Sequence, residues 1–171
     1  MPEVLTTWNE LDPEDAAKAI LPCCGSTAWS VGMVERRPIS TIDELLTTSD
    51  RVWAALPHEA WMEAFLSHPR IGQKKAEATA KSLAWSAGEQ SLGIAQADAK
   101  EALAEGNRRY EARFGSVVPL FIVCATGKSA TEMLAILERR MLNDNAAEWL
   151  EAGEQQRRIT QLRLRKWVGE V

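Results

Sequence analysis

The chain has 171 residues, 46% of them hydrophobic, which supplies a core and excludes a disordered chain. Acidic residues number 24 and basic ones 20, a formal net charge of −4, which argues against a general nucleic-acid binder with a basic face. No apolar run approaches the roughly 20 residues that span a bilayer. "MPEVLTTWNE" lacks the basic and apolar regions of a secretion signal, and "WVGEV" is not a peroxisomal address, so a soluble cytoplasmic protein with a single domain over residues 1–171 is expected.

Helix starts are marked by side-chain chemistry. Asp12, Pro13 and Asp15 supply an N-cap, a proline at the first helical position and acid in the first turn. Cys23 and Cys24 follow. With Cys124 they make neither a disulfide framework nor a zinc spacing, so buried free thiols are expected and no metal site. "TIDE" at 41–44 fits a capping box. From Pro57, Ala60, Trp61, Ala64 and Phe65 recur at helical spacing. "SAGE" at 86–89 is a second box, opening a helix whose stripe runs through Leu92, Ala99, Leu103, Gly106 and Tyr110 and ends near Gly115. "SATE" at 129–132 is a third, with a helix ending around Leu142 or Asn143. A last helix is predicted from about Ala146 to Trp167.

Only "SVVPLFIVCAT" reads as extended, and Pro119 interrupts it. A lone strand has no partner for its backbone groups, which must turn to helices, water or a ligand. The predicted fold is all-α: a bundle of about eight helices with one extended, non-helical connector near 116–126.

His68, in "SHPRIG" at 67–72, precedes a proline that pushes its backbone out of the helical region. It can be a proton-transfer group, or a histidine that merely complements a helix C-terminus. Glu89 can complete the box opened by Ser86. Together with Gly88 and Gln90 it can instead form a polar cradle at a helix start. Arg163 shares a helix face with Ile159 and Trp167, so it either snorkels or aims into a pocket. "ATGKSATE" contains Gly-Lys-Ser, but Ile122 stands where a phosphate-binding loop needs its first glycine. Gly127 therefore reads as a turn and Ser129 as a cap.

Taken in order, "CCGSTAW" (23–29), "RRP" (36–38), "HPRIG" (68–72), "SAGEQ" (86–90), "NRRYEARFG" (107–115), "FIVCATGKS" (121–129), "ERRMLNDNAAEWLEA" and "RITQLRLRKW" resemble the 2-oxo-4-hydroxy-4-carboxy-5-ureidoimidazoline (OHCU) decarboxylases of uric acid breakdown, over nearly the whole chain. The resemblance implies an all-helical enzyme without metal or organic cofactor. It implies that His68 is the catalytic histidine and Glu89 its acidic partner. Pro69, Ser86, Gln90 and Arg163 would hold substrate, with backbone groups of Phe121, Ile122, Val123, Cys124 and Ala125 facing the ligand. The implied partner is the small-molecule substrate, with neither nucleic acid nor membrane, and a homodimer is left open. Two alternatives stand beside this: a related helical enzyme acting on another ureido or imidazolone compound, and a helical interaction module without catalysis. A helix-turn-helix regulator fits worst, since no basic recognition stripe is visible.

Overall fold

The computed structural model describes residues 1–72 and 97–171. The capping box expected at Ser86–Glu89 and the start of its helix lie outside these. Among the described residues there are eight α-helices, one 3-10 turn and no strand. They are α1 (Glu3–Glu10), α2 (Pro13–Ile20), the turn Leu21–Cys23, α3 (Thr27–Val34), α4 (Ile42–Ala54), α5 (His58–Leu66), α6 (Ala97–Phe114), α7 (Ala130–Arg140) and α8 (Asn145–Trp167). The stretch between α6 and α7 is neither helix nor strand, as the sequence predicts for its connector.

The marked helix starts form through their side chains. Asp12 accepts from the Asp15 amide at 3.0 Å, Thr41 from Glu44 at 3.1 Å and Ser129 from Glu132 at 3.1 Å. Glu44 reaches back to the amide of Ser40 at 2.8 Å, one residue before the cap itself. Pro57 precedes α5, and its carbonyl accepts the amides of Ala60 and Trp61. Gly127 takes φ +77° in the turn before α7. α7 stops at Arg140, short of the expected Leu142, and α8 starts at Asn145, its first turn closed by Asp144 accepting from Ala147 at 2.8 Å. Two helices, α1 and α3, carried no start signal read in the sequence. α1 has no side-chain cap, and α3 is capped by Ser26 with Trp29 where a box would have glutamate or glutamine.

The chain forms two compact units. The first is Met1–Ala64 with Arg157–Val171. Its core includes Trp8, whose indole N–H donates to Ala16 O at 2.8 Å and whose ring meets Trp167 edge-on at 5.9 Å. Arg37, from "RRP", donates to the carbonyls of Trp8, Asn9 and Leu11 and so satisfies the C-terminal end of α1. Trp29 Nε1 donates to Ser49 Oγ at 3.2 Å, tying α3 to α4. The two helices touch so closely that a Cβ on Gly32 would stand 2.8 Å from Val52 Cγ1. Trp53 and Trp61 stack in parallel at 4.8 Å. Cys23 and Cys24 are buried and outside any disulfide, as expected. Burial pushes the Cys24 thiol up to about 12, while a hydrogen bond with Thr160 pulls the other way.

The second unit is Phe65–Gln156. Here α6 packs on α7, and a Cβ on Gly106 would lie only 3.2 Å from Leu137 and 3.3 Å from Leu134. The Glu148 carboxylate is fully buried, at 0% exposure. It accepts from the Tyr110 hydroxyl, from the Nε and Nη2 of Arg140 and from the Asn143 amide. The Arg140 guanidinium, itself 1% exposed, lies 4.8 Å over the Phe121 ring.

Arg140→Met leaves the Glu148 charge buried without its cation and should cost about 3 kcal/mol or more in urea unfolding. The double variant with Glu148→Leu should be milder than that single variant. A single-variant loss at the level of an exposed pair, about 1 kcal/mol or less, would contradict this account. Alkali should also destabilise the fold. Cys24 rises from its ordinary 9.0 to about 12, and burial raises Tyr110 above its ordinary 10.0. The unfolded chain therefore loses these protons first, and their contribution is complete below pH 9.0 and fades as pH climbs through 9–12. Melting temperature should fall across that window, and the thiols should stay unreactive to a thiol reagent at pH 8 until denaturant is added.

Candidate active site

His68 stands just beyond α5. Its amide still donates to Phe65 O at 3.2 Å, closing the last turn, and Pro69 then prevents the helix from continuing. The loop that follows is pinned to α6. Arg70 Nε pairs with Glu111 at 2.7 Å, Asn107 Nδ2 donates to Ile71 O at 3.1 Å, and Gly72 takes φ +87°. Pro69 is buried and His68 is half-buried. The imidazole meets α8, with Nε2 lying 2.6 Å from Gln156 Oε1.

The connector residues Phe121–Ala125 are all buried, at 2–7% exposure. Their backbone groups are only partly available to a ligand. The Ile122 carbonyl accepts from Arg140, the Cys124 amide donates to Gln155 Oε1 at 2.9 Å, and the Cys124 carbonyl accepts from Lys128 Nζ at 2.7 Å. The Ala125 carbonyl accepts the Lys128 amide at 3.0 Å. These groups turn in part to helices, one of the three recourses expected of a stretch without a neighbouring strand. Long side chains from α7, α8 and the turn before α7 supply the partners that a neighbouring strand would have given. No hydrogen bond of the Val123 backbone occurs among the described residues.

Arg163 belongs to the first unit, on the stretch of α8 beyond Arg157. At 2% exposure it does not snorkel into solvent, and its Nη1 donates to Pro22 O at 3.3 Å. Its charge also reaches the Cys24 thiol. Ser86, Glu89 and Gln90 lie outside the described residues. The structure therefore gathers His68, Pro69 and the connector within the second unit and places Arg163 in the first.

Gln155, Gln156, Arg140 and Lys128 went unnoticed in the sequence. For the glutamines a signal existed. They fall three and four residues after Ala152 and four and three before Ile159, on the buried face of α8, where apolar residues are the rule. Arg140 gave less warning, because a charge at the end of a helix ordinarily reads as solvated.

Residues 9–165 match the profile of the family described as OHCU decarboxylase. The Uric acid degradation bifunctional protein TTL of Arabidopsis thaliana is 34% identical over 147 residues, which cover 84% of this chain. The match spans only 44% of that relative's length. A crystal structure of an OHCU decarboxylase obtained in the presence of (S)-allantoin aligns with a TM-score of 0.73 and 31% identity, over 91% of this chain and 97% of that one. The helical architecture of the described residues, the ordered motifs and these matches agree, and the chain belongs to the OHCU decarboxylase family.

Proposed function

We propose that this protein decarboxylates OHCU to (S)-allantoin, using residues 1–171 as one functional domain. The observation that carries the reading is His68, held off the end of α5 by Pro69 and given a fixed hydrogen-bond partner by α8. Such a placement suits a proton-transfer group better than a histidine resting on a helix terminus.

The substrate supplies its own electron sink. Its carboxylate sits on the hydroxyl-bearing ring carbon, next to the ring C=N bond. When the C–C bond to the carboxylate breaks, carbon dioxide leaves and the electron pair enters that C=N bond. The nitrogen takes a proton, leaving an enol with a carbon–carbon double bond in the ring. The hydroxyl then gives up its proton to become the carbonyl, and the ureido-bearing carbon gains one. Delivery from one face makes that carbon a single enantiomer. The protein's part is positioning, charge stabilisation and proton transfer, with no external cofactor required.

In this reading His68 and Glu89 are the catalytic pair, His68 moving the proton and Glu89 supporting its cation. Pro69, Ser86, Gln90, the backbone of Phe121, Ile122, Val123, Cys124 and Ala125, and Arg163 bind substrate. Arg163 is best matched to the ureido or carbonyl groups. A tight clamp on the departing carboxylate would stabilise the ground state more than the transition state.

Freshly generated OHCU should decay faster with the protein present and give optically active allantoin, and exhaustive chelation should leave that rate unchanged. Racemic product at the spontaneous rate sinks the proposal. His68→Asn should lower kcat by about 10²-fold or more with the fold intact. Glu89→Gln separates two roles: a glutamate that only caps a helix predicts near-normal activity, since glutamine also serves in a capping box, while a catalytic one predicts a large fall in kcat. Arg163→Lys should chiefly raise KM, because lysine keeps the charge but loses the planar fork. A fall in kcat alone would move Arg163 out of the substrate-binding role.

A further inference from the structure

We infer that Gln156 is a positioning residue that fixes the tautomer of His68, with the hydrogen on Nε2 and the lone pair of the neutral ring on Nδ1, while its neighbour Gln155 fixes the connector from the same turn of α8. The inference deepens the proposed function and rests on it for the role of His68. It starts from one distance, 2.6 Å between His68 Nε2 and Gln156 Oε1. An amide oxygen has no proton to give, so Nε2 must carry the hydrogen of this bond. In the neutral ring the lone pair then belongs to Nδ1.

The arrangement has a property that suits catalysis. In the imidazolium both nitrogens are protonated, so Nε2–H still donates to Gln156. The same hydrogen bond is therefore made before and after Nδ1 takes up a proton. Gln156 need not reorient during the reaction, which is what a preorganised site requires. A carboxylate at this position would favour the imidazolium much more strongly. A neutral amide orients the ring without committing it to the charged form.

Burial makes the amide a rigid reference. Gln156 is 0% exposed, and among the described residues every deeply buried side-chain nitrogen and oxygen has a hydrogen-bond partner. Gln155, at 6% exposure, receives the Cys124 amide at 2.9 Å. Successive residues of one helix thus hold the histidine and the middle of the connector. Two polar side chains buried beside Ala152 and Ile159 give up apolar contact, a cost that hydrogen bonds must offset.

The first test needs no variant. The chain has two histidines, His58 and His68, so long-range 15N–1H correlation spectra contain only two ring systems, and His58→Gln assigns them. At a pH where the ring is neutral, His68 should show the Nε2–H form. A ring protonated on Nδ1 overturns the inference whatever the protein's activity proves to be. In Gln156→Met, close in volume but without an acceptor, the tautomers should mix and kcat should fall by about tenfold or more, with KM within about twofold. Gln156→Glu, which restores an acceptor of the same reach but favours the imidazolium, should return the hydrogen to Nε2 while moving the titration of the His68 ring to higher pH. A Gln156→Met protein that keeps the wild-type tautomer or the wild-type kcat overturns the inference. Failure of the wild-type protein to turn over OHCU would instead count against the proposed function, with the wild-type spectrum still deciding which nitrogen holds the proton.

Discussion

Glu148 has no access to water, and a carboxylate in that position must be met on every side or not be charged at all. Arg140, Tyr110 and Asn143 meet it, and this constraint propagates. Once Arg140 is held by Glu148, its remaining nitrogen is aimed at the Ile122 carbonyl and its flat face covers Phe121. The connector is thereby fixed at its middle, although no strand lies beside it among the described residues. The second unit is organised around a buried charge whose satisfaction determines where an irregular stretch of backbone can lie.

His68 is positioned by the same logic at smaller scale. The proline after it ends α5, two contacts with α6 hold the loop, and the imidazole meets a buried amide. None of these interactions is strong alone, and the Arg70–Glu111 pair is half in solvent. Together they leave the ring few orientations. In the first unit, Arg37 gathers the free carbonyls at the end of α1, and Arg163 is buried against Pro22. Buried or half-buried polar side chains, rather than sheet pairing, give this all-helical chain its fixed points.

Much of this was written locally in the sequence. Capping chemistry marked α2, α4 and α7 because an N-cap and its amide partner lie three residues apart, within the reach of a sequence pattern. The Pro69 break was legible for the same reason. α1 and α3 were not placed, since one lacks a side-chain cap and the other has tryptophan in place of the acidic partner. The position of His68 outside its helix was legible, but its partner lies 88 residues away, and no local pattern connects the two. Two of the connector's partners, 18 and 31 residues off, were equally hidden, so the sequence named no residue to satisfy its backbone groups.

The connector's dependence on side chains has an evolutionary consequence. In a sheet, backbone partners are supplied by backbone, so strand pairing survives most changes of residue. Here the geometry of Ile122 and Cys124 is written in the identities of Arg140, Gln155 and Lys128. A lineage could therefore reshape this stretch by substitutions well away from it in sequence, leaving its own residues untouched. The same arrangement exposes it to genetic drift at distant positions, where a change would be neutral in a strand-paired protein and consequential in this one.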